Sequence, residues 1–354
     1  MRPIFARIDR AAFRSNYLLA KARAPQARAW CVVKANAYGH GLLRCAEAVR
    51  DVADGFALLD ISEALQLRQA QFAQPILLLE GFFDAEGLQQ AAEYDLSVVL
   101  HSAPQLRLLE TEALPRSVDV FLKINTGMNR LGFRPEEVPA LIARLRTCSA
   151  VRSITAMTHF ACADGAGIDA QWARFEQALA GSDLPRSAAN SAALLRFPHS
   201  HADWVRPGIV LYGASPMPQL ESAVQLGLKP VMSLESELIA IQYLQAGDQL
   251  GYGASFVATE PTCVGIVACG YGDGYPRHAG TGTPILVDGI LTRTLGRVSM
   301  DMLACDLSSI PAAQIGSRVV LWGDGLPADE VATAAGTISY ELFCALAPRV
   351  PVRD

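Results

Sequence analysis

Eight short apolar runs, each followed by helix-like periodicity, set the strongest constraint on this fold. The runs lie at 29–34, 55–59, 76–79, 97–100, 119–124, 154–159, 186–190 and 205–210. Stretches between them, such as 41–53, 62–73, 84–94, 135–147 and 169–180, repeat apolar residues at helical spacing. Strand and helix in strict alternation build a parallel sheet. Eight such units over about 200 residues predict an α/β fold, a (β/α)8 TIM-like barrel. A doubly wound open sheet is the alternative with the same alternation.

The chain has more than a barrel. A leading strand at 3–8 precedes a helix over 10–22, with Asp9 as its N-cap, and is a candidate to leave the barrel for a second domain. From about residue 227 glycine-punctuated β-type runs take over, at 232–244, 262–269, 283–293, 302–306 and 318–322. One helical stretch lies near 328–335. The expected organisation is a barrel over 1–226 and a mostly-β C-terminal domain over 227–354.

Composition removes several function classes. At 51% hydrophobic and 18% charged, 354 residues can bury a large core. A net charge of −5 gives no footprint for nucleic acid or an anionic membrane. The first residues lack an apolar signal core, and no uncharged apolar stretch reaches spanning length. Eight dispersed cysteines form no Cys-x-x-Cys pair, which argues against zinc ribbons and structural disulfides. A cytoplasmic protein without membrane or nucleic-acid partners is expected.

Barrel active sites form at the carboxyl ends of the strands, and the unusual polar residues sort to that rim. Lys34 ends the first run, where an ammonium is costly unless paired or chemically employed. Such a lysine can form an imine with an aldehyde, or simply snorkel. Arg130 follows the fifth run, His159 ends the sixth, Asn190-Ser191 end the seventh, and Arg206-Pro207-Gly208 lie at the eighth. Ser191 is either an N-cap or an anion ligand at a helix start, and Gly208-Ile209 can bring backbone amides to the same anion. No P-loop pattern is present. His199-x-His201 with Asp203 is a weak metal cue without a full ligand set, better read as packing.

The string Val32-Val33-Lys34-Ala35-Asn36-Ala37-Tyr38-Gly39-His40-Gly41 resembles the cofactor-lysine motif of the alanine racemases. Further segments are similar to that family: Lys123-Ile124-Asn125-Thr126-Gly127-Met128-Asn129-Arg130, Thr158-His159-Phe160, Asn190-Ser191-Ala192-Ala193 and Arg206-Pro207-Gly208-Ile209. So are Gly251-Tyr252-Gly253, Gly270-Tyr271-Gly272-Asp273 and Arg297-Val298-Ser299-Met300. The resemblance implies a fold-type-III barrel that binds pyridoxal 5'-phosphate (PLP). It implies a homodimer with shared active sites that interconverts L-alanine and D-alanine, for peptidoglycan or for alanine catabolism. By the same resemblance Lys34 carries PLP and serves as one base, and Tyr252 serves as the second base in the partner's site. Tyr38, His159, Asn190, Ser191, Arg206, Gly208 and Ile209 line the cofactor. Arg130, Tyr271 and Met300 lie on the substrate side, and Lys123 matches a lysine that is often carbamylated.

Two positions depart from the family pattern. Pro348 stands where some members place a tyrosine against the cofactor phosphate, and Asn125 replaces a common aspartate. Other fold-III PLP enzymes and a non-catalytic PLP-binding protein are the competing readings. The second domain with Tyr252 argues against the latter, which resembles the barrel alone.

Overall fold

The computed structural model describes residues 2–354. By their contacts these form two compact units. One comprises Arg14–Ala37 and Gly41–Leu211. The other comprises the N-terminal segment up to Phe13, Tyr38–His40 and Tyr212–Asp354.

After β1 (Phe5–Ile8) come the eight strands of a closed parallel barrel. They are β2 (Arg28–Val32), β3 (Gly55–Leu58), β4 (Ile76–Leu78), β5 (Ser97–Leu100), β6 (Val118–Lys123), β7 (Val151–Met157), β8 (Arg186–Asn190) and β9 (Trp204–Arg206). Closure comes from β9 pairing with β2, with Arg28 opposite Trp204 and Ala29 opposite Val205. Strands covered on both faces need continuous apolar runs, which is why β3, β4 and β5 are buried throughout. Each such Leu, Val or Phe side chain contributes about 1.5–3 kcal/mol by leaving water. Trp30 stacks on Trp204 at 4.1 Å and meets Phe121 edge-on. Gly55 is required beside it, because a Cβ there would lie 2.5 Å from the Trp30 ring.

Helices follow the strands with local capping. Asp60 accepts from Ser62 N–H at 2.8 Å and Asp84 from Gly87 N–H at 2.7 Å, starting the helices Ile61–Gln69 and Ala85–Glu93. β9 stops short of the apolar run 205–210 that predicts it. Pro207 has no N–H for the ladder, and the chain turns into a 3-10 segment, Ile209–Tyr212.

The second unit is built on an antiparallel-rich sheet. Its strands are β10 (Met232–Leu244), β13 (Thr262–Val267), β14 (Pro284–Val287), β15 (Ile290–Leu295), β16 (Leu303–Asp306), β17 (Arg318–Trp322) and β18 (Val352–Arg353). β11 (Gln249–Leu250) and β12 (Phe256–Val257) form a separate small hairpin. β1 joins the large sheet, antiparallel to β10 with Phe5 opposite Glu235 and parallel to β18. The glycine-punctuated β-type run 283–293 folds as the hairpin β14–β15. Asp288 and Gly289 turn it, with φ of 48° and 78°. Two successive positive-φ residues suit the twist of a tight hairpin. The helix Ala328–Ala335 is followed by a second, Ser339–Cys344.

Candidate active site

β2 carries the chain to the rim, and half-buried Lys34 stands two residues past Val32. The backbone then takes a left-handed turn, with φ of 54° at Ala35, 52° at Asn36, 52° at Ala37 and 50° at Tyr38. None is glycine, and such geometry costs an L-residue about 1–2 kcal/mol. Specific bonds hold the turn. Asn36 N–H donates to Glu63 at 2.6 Å, and Asn36 Oδ1 accepts from Leu42 N–H at 2.8 Å. Ala37 N–H donates to Val33 O at 2.9 Å. Strain over-determined by its surroundings, next to one lysine, marks a functional position.

Cations converge on this rim. Lys123 ends β6 and is buried. Burial, then Arg206, Arg130 and Lys34, push its ammonium from 10.5 to about 8, with Glu80 in partial opposition. His159, just past β7, is held well below its usual 6.5 by burial and by Arg206, Lys123, Arg130 and Lys34. Its imidazole is therefore neutral at pH 7. Five residues singled out from sequence share one electrostatic environment in the barrel unit.

Arg206 is the deepest of them. Burial pushes its guanidinium down to about 9. Nη1 donates to Ser187 Oγ at 2.8 Å, and Nη2 donates to Thr158 O at 2.6 Å and Ala188 O at 3.0 Å. These acceptors are all neutral. A buried cation held by neutral acceptors is ready to face an anionic or electron-rich ligand.

Arg130 sits on the loop that leaves β6, and this loop is closed at its base. Asn125 N–H donates to Phe133 O at 2.8 Å, and Phe133 N–H to Lys123 O at 2.9 Å. Inside it, Asn125 Oδ1 accepts from Asn129 N–H at 3.0 Å and Gly127 N–H at 3.2 Å. Asn125 Nδ2 donates to Asn129 Oδ1 at 3.1 Å. A carboxylate at position 125 could not make that last bond, which gives the departure from aspartate a structural use.

At the ends of β8 and β9, buried Ser191 accepts from Gly208 N–H at 2.9 Å. The N-cap of the short helix Ser191–Arg196 is Asn190, whose Oδ1 accepts from Ala193 N–H at 3.0 Å. The N-cap option for Ser191 is thus taken by its neighbour, and the serine hydroxyl points to the Gly208 backbone. Ile209 is buried and opens the 3-10 turn beside it.

The other predicted residues belong to the second unit. Tyr38 is buried, stacked on Tyr212 at 4.6 Å and tilted against Tyr340 at 5.8 Å, and burial pushes its phenol above the usual 10. Tyr252 is 73% exposed on the turn Tyr252–Ala254, framed by Gly251 and Gly253 at φ of 71° and 70°. Tyr271 and Met300 are exposed on adjoining loops. Tyr271 N–H donates to Ser299 O at 3.0 Å and Gly272 N–H to Met300 O at 2.9 Å. Asp273 beneath them is fully buried and binds Arg2 Nη1 at 2.7 Å and Arg349 Nε at 2.8 Å.

His199 packs edge-on to Trp172, and His201 Nε2 meets Leu194 O at 2.8 Å. Asp203 accepts from Arg186 N–H at 2.7 Å. Sequence reading gave no role to Ser187, Gln171 or Asp273. Each is polar within an element, and only the fold shows what its polar atoms hold.

Comparison with known proteins agrees along the whole chain. Residues 8–216 match the family description "Alanine racemase, N-terminal domain", and residues 231–353 match "Alanine racemase, C-terminal domain". A protein of Nitrosomonas europaea named alanine racemase is 56% identical, covering 99% of this chain and 98% of its own. One from Nitrosomonas eutropha is 54% identical with the same coverage. The crystal structure of the biosynthetic alanine racemase from Pseudomonas aeruginosa superposes with a TM-score of 0.97 at 47% identity, covering 100% of this chain and 99% of that one. The enzyme from E. faecalis gives 0.89 at 32% identity, covering 99% and 98%. The chain belongs to the alanine racemase family.

Proposed function

We propose that this protein interconverts L-alanine and D-alanine by two-base α-proton transfer on PLP, as a cytoplasmic homodimer with shared active sites. The observation that carries the reading is the gathering of Lys34, Lys123, Arg130 and Arg206 around a neutral His159 at one barrel rim. Such a cation-rich rim suits two anionic groups, a cofactor phosphate and a substrate carboxylate. No helix among the described residues is long and apolar enough to cross a membrane.

The residues fit PLP. Lys34 offers the amine that holds its aldehyde carbon, and Arg206 offers guanidinium donors for the ring nitrogen. Ser191, Gly208, Ile209 and Tyr38 serve the phosphate, Asn190 and His159 line the ring, and Pro348 brings no hydroxyl. PLP supplies an electron sink for the pair left behind when the α-proton departs.

The chain's own groups do the proton work. Arg130 fixes the substrate carboxylate. Lys34 Nζ takes the α-proton from D-alanine, and Tyr252 Oη of the second subunit takes it from L-alanine on the opposite face. Tyr271 and Met300 shape the substrate side from that same subunit. A phenol needs nearby donors or positive charge to act as a base near neutrality, and the cationic rim supplies them. A carbamate on Lys123 would carry negative charge to Arg130 and hold it.

The test is incubation of the purified protein with L-alanine and PLP in D₂O, followed by NMR and chiral analysis. Loss of the α-proton with D-alanine appearing is expected. Exchange without D-alanine would remove Tyr252 as the second base. No exchange at all would overturn the reading.

A further inference from the structure

Among the side chains that tie the loop carrying Arg130 to its neighbour, Gln171 bridges both loops and touches no reacting group. Gln171 lies in the first turn of the helix Asp169–Ala178. Its Nε2 donates to Thr126 Oγ1 at 3.1 Å, in the loop after β6, and to His159 O at 3.1 Å, in the loop after β7. Its Oε1 accepts from Ala161 N–H at 2.7 Å. One turn on, Arg174 Nη1 donates to Thr126 O at 3.1 Å. Thr126 in turn meets Thr158 Oγ1 at 2.8 Å, and both threonines are buried. A Cβ on Gly127 would approach Arg174 Nη1 at 3.1 Å, so helix and loop are in close contact.

We propose that Gln171 is a positioning residue for carboxylate recognition, fixing the Arg130 loop against the His159 loop through its side-chain amide. The inference rests on the reading of Arg130 as the carboxylate ligand. The loop's base is closed by the bonds to Phe133 and its tip is ordered by Asn125. Those internal bonds set the loop's shape, while Gln171, Arg174 and the Thr126–Thr158 pair set where it stands on the rim. Arg130 itself is exposed and gains its aim from that placement.

The test compares Gln171→Met, Gln171→Glu and Arg130→Ala in the PLP-loaded enzyme. Gln171→Met keeps the chain length and loses all three bonds. Gln171→Glu keeps the acceptor for Ala161 and loses the two donated bonds, so it decides the matter if the methionine variant does not fold. KM for both alanine enantiomers should rise about tenfold in each Gln171 variant, with kcat within about threefold, since a carboxylate anchor acts on bound substrate and transition state alike. Binding of ethylamine, which has the amine but no carboxylate, should keep its affinity when read by the cofactor absorbance. Equal weakening for ethylamine and alanine would reduce Gln171 to a general structural role and overturn the inference. A raised KM in Arg130→Ala with unchanged KM in the folded Gln171 variants would also overturn it, and would leave the Arg130 reading intact. An unchanged KM in Arg130→Ala would overturn both.

Discussion

Arg206 Nη2 stands 3.4 Å from His159 Nδ1, with the arginine buried and the histidine half-buried. A guanidinium nitrogen can only donate, so Nδ1 is the acceptor and the imidazole proton sits on Nε2. That places a neutral histidine with its N–H directed away from the arginine. NMR of the labelled imidazole should show this tautomer, with any titration lying well below that of an ordinary histidine. Arg206→Met removes the largest cationic neighbour and should raise the His159 pKa. A histidine that titrates near its ordinary 6.5 in the unaltered protein would contradict the arrangement.

Lys123 gives a stability prediction with a definite sign. Its pKa falls from 10.5 to about 8 on folding, so between those values the unfolded chain holds more protons than the folded one. Stability therefore rises with pH through that window and is reduced below it, by an upper bound of about 3 kcal/mol. In carbon-dioxide-depleted protein, Lys123→Met should raise the unfolding midpoint at pH 7 and flatten the pH dependence from about 8 to 10. A midpoint lowered by the substitution would mean that the ammonium is paired in solution.

The same lowered pKa leaves about a tenth of Lys123 as free amine at pH 7, against well under a hundredth for an ordinary lysine. Its nitrogen can then add to carbon dioxide, losing a proton and becoming a carbamate. The new negative charge would face Arg130, Arg206 and Lys34. Bicarbonate added to carbon-dioxide-depleted enzyme should increase activity several-fold, and mass or ¹³C NMR measurement should find one carbamate per chain. The effect should vanish in Lys123→Met.

The barrel was legible because parallel strands buried on both faces must be apolar, and they sit within a few residues of the runs that predict them. The cationic rim was legible because strand ends are where a barrel displays its polar residues. Other features could not be read locally. Ala35 and Ala37 have no preference for left-handed backbone, and the turn is held by bonds to partners such as Glu63, Leu42 and Val33. The β14–β15 hairpin was signalled by Asp288-Gly289, a turn pair lost inside an apolar run. Ser187, Gln171 and Asp273 act through partners distant in sequence, at separations of 19, 45 and 271 residues, which no spacing pattern reports.

Asp273 should prove structural and local. It is fully buried, and it joins Arg2 and Arg349 near the two ends of the chain to the loops of Tyr271 and Met300. Arg2 Nη2 also donates to Asp301 O at 2.6 Å, and Arg349 Nη2 to Met300 O at 3.3 Å. Both arginines remain partly exposed, so losing the carboxylate leaves them hydrated. Asp273→Asn should cost about 1–3 kcal/mol, the worth of charge-assisted hydrogen bonds. Hydrogen exchange should quicken over 270–275 and 299–302 while the barrel strands keep their protection.

The two-face assignment makes the most specific demand. Tyr252 is exposed, and the glycines on either side hold its turn away from regular structure. If it removes the proton from L-alanine while Lys34 removes it from D-alanine, the two directions must fail differently. In single-turnover exchange, Tyr252→Phe should slow α-proton loss from L-alanine by about 10²–10⁴-fold, the range expected for a general base, and spare D-alanine exchange far more. Lys34→Ala should lose the cofactor absorbance of the loaded enzyme. Mixing Lys34→Ala chains with Tyr252→Phe chains adds a test of the shared site. A mixed dimer has one site with both defects and one site with neither, so activity should return from near zero towards half of the normal value. No recovery in a dimer shown to be mixed would confine each site to one chain. Equal slowing of both enantiomers in Tyr252→Phe would remove the tyrosine as a base.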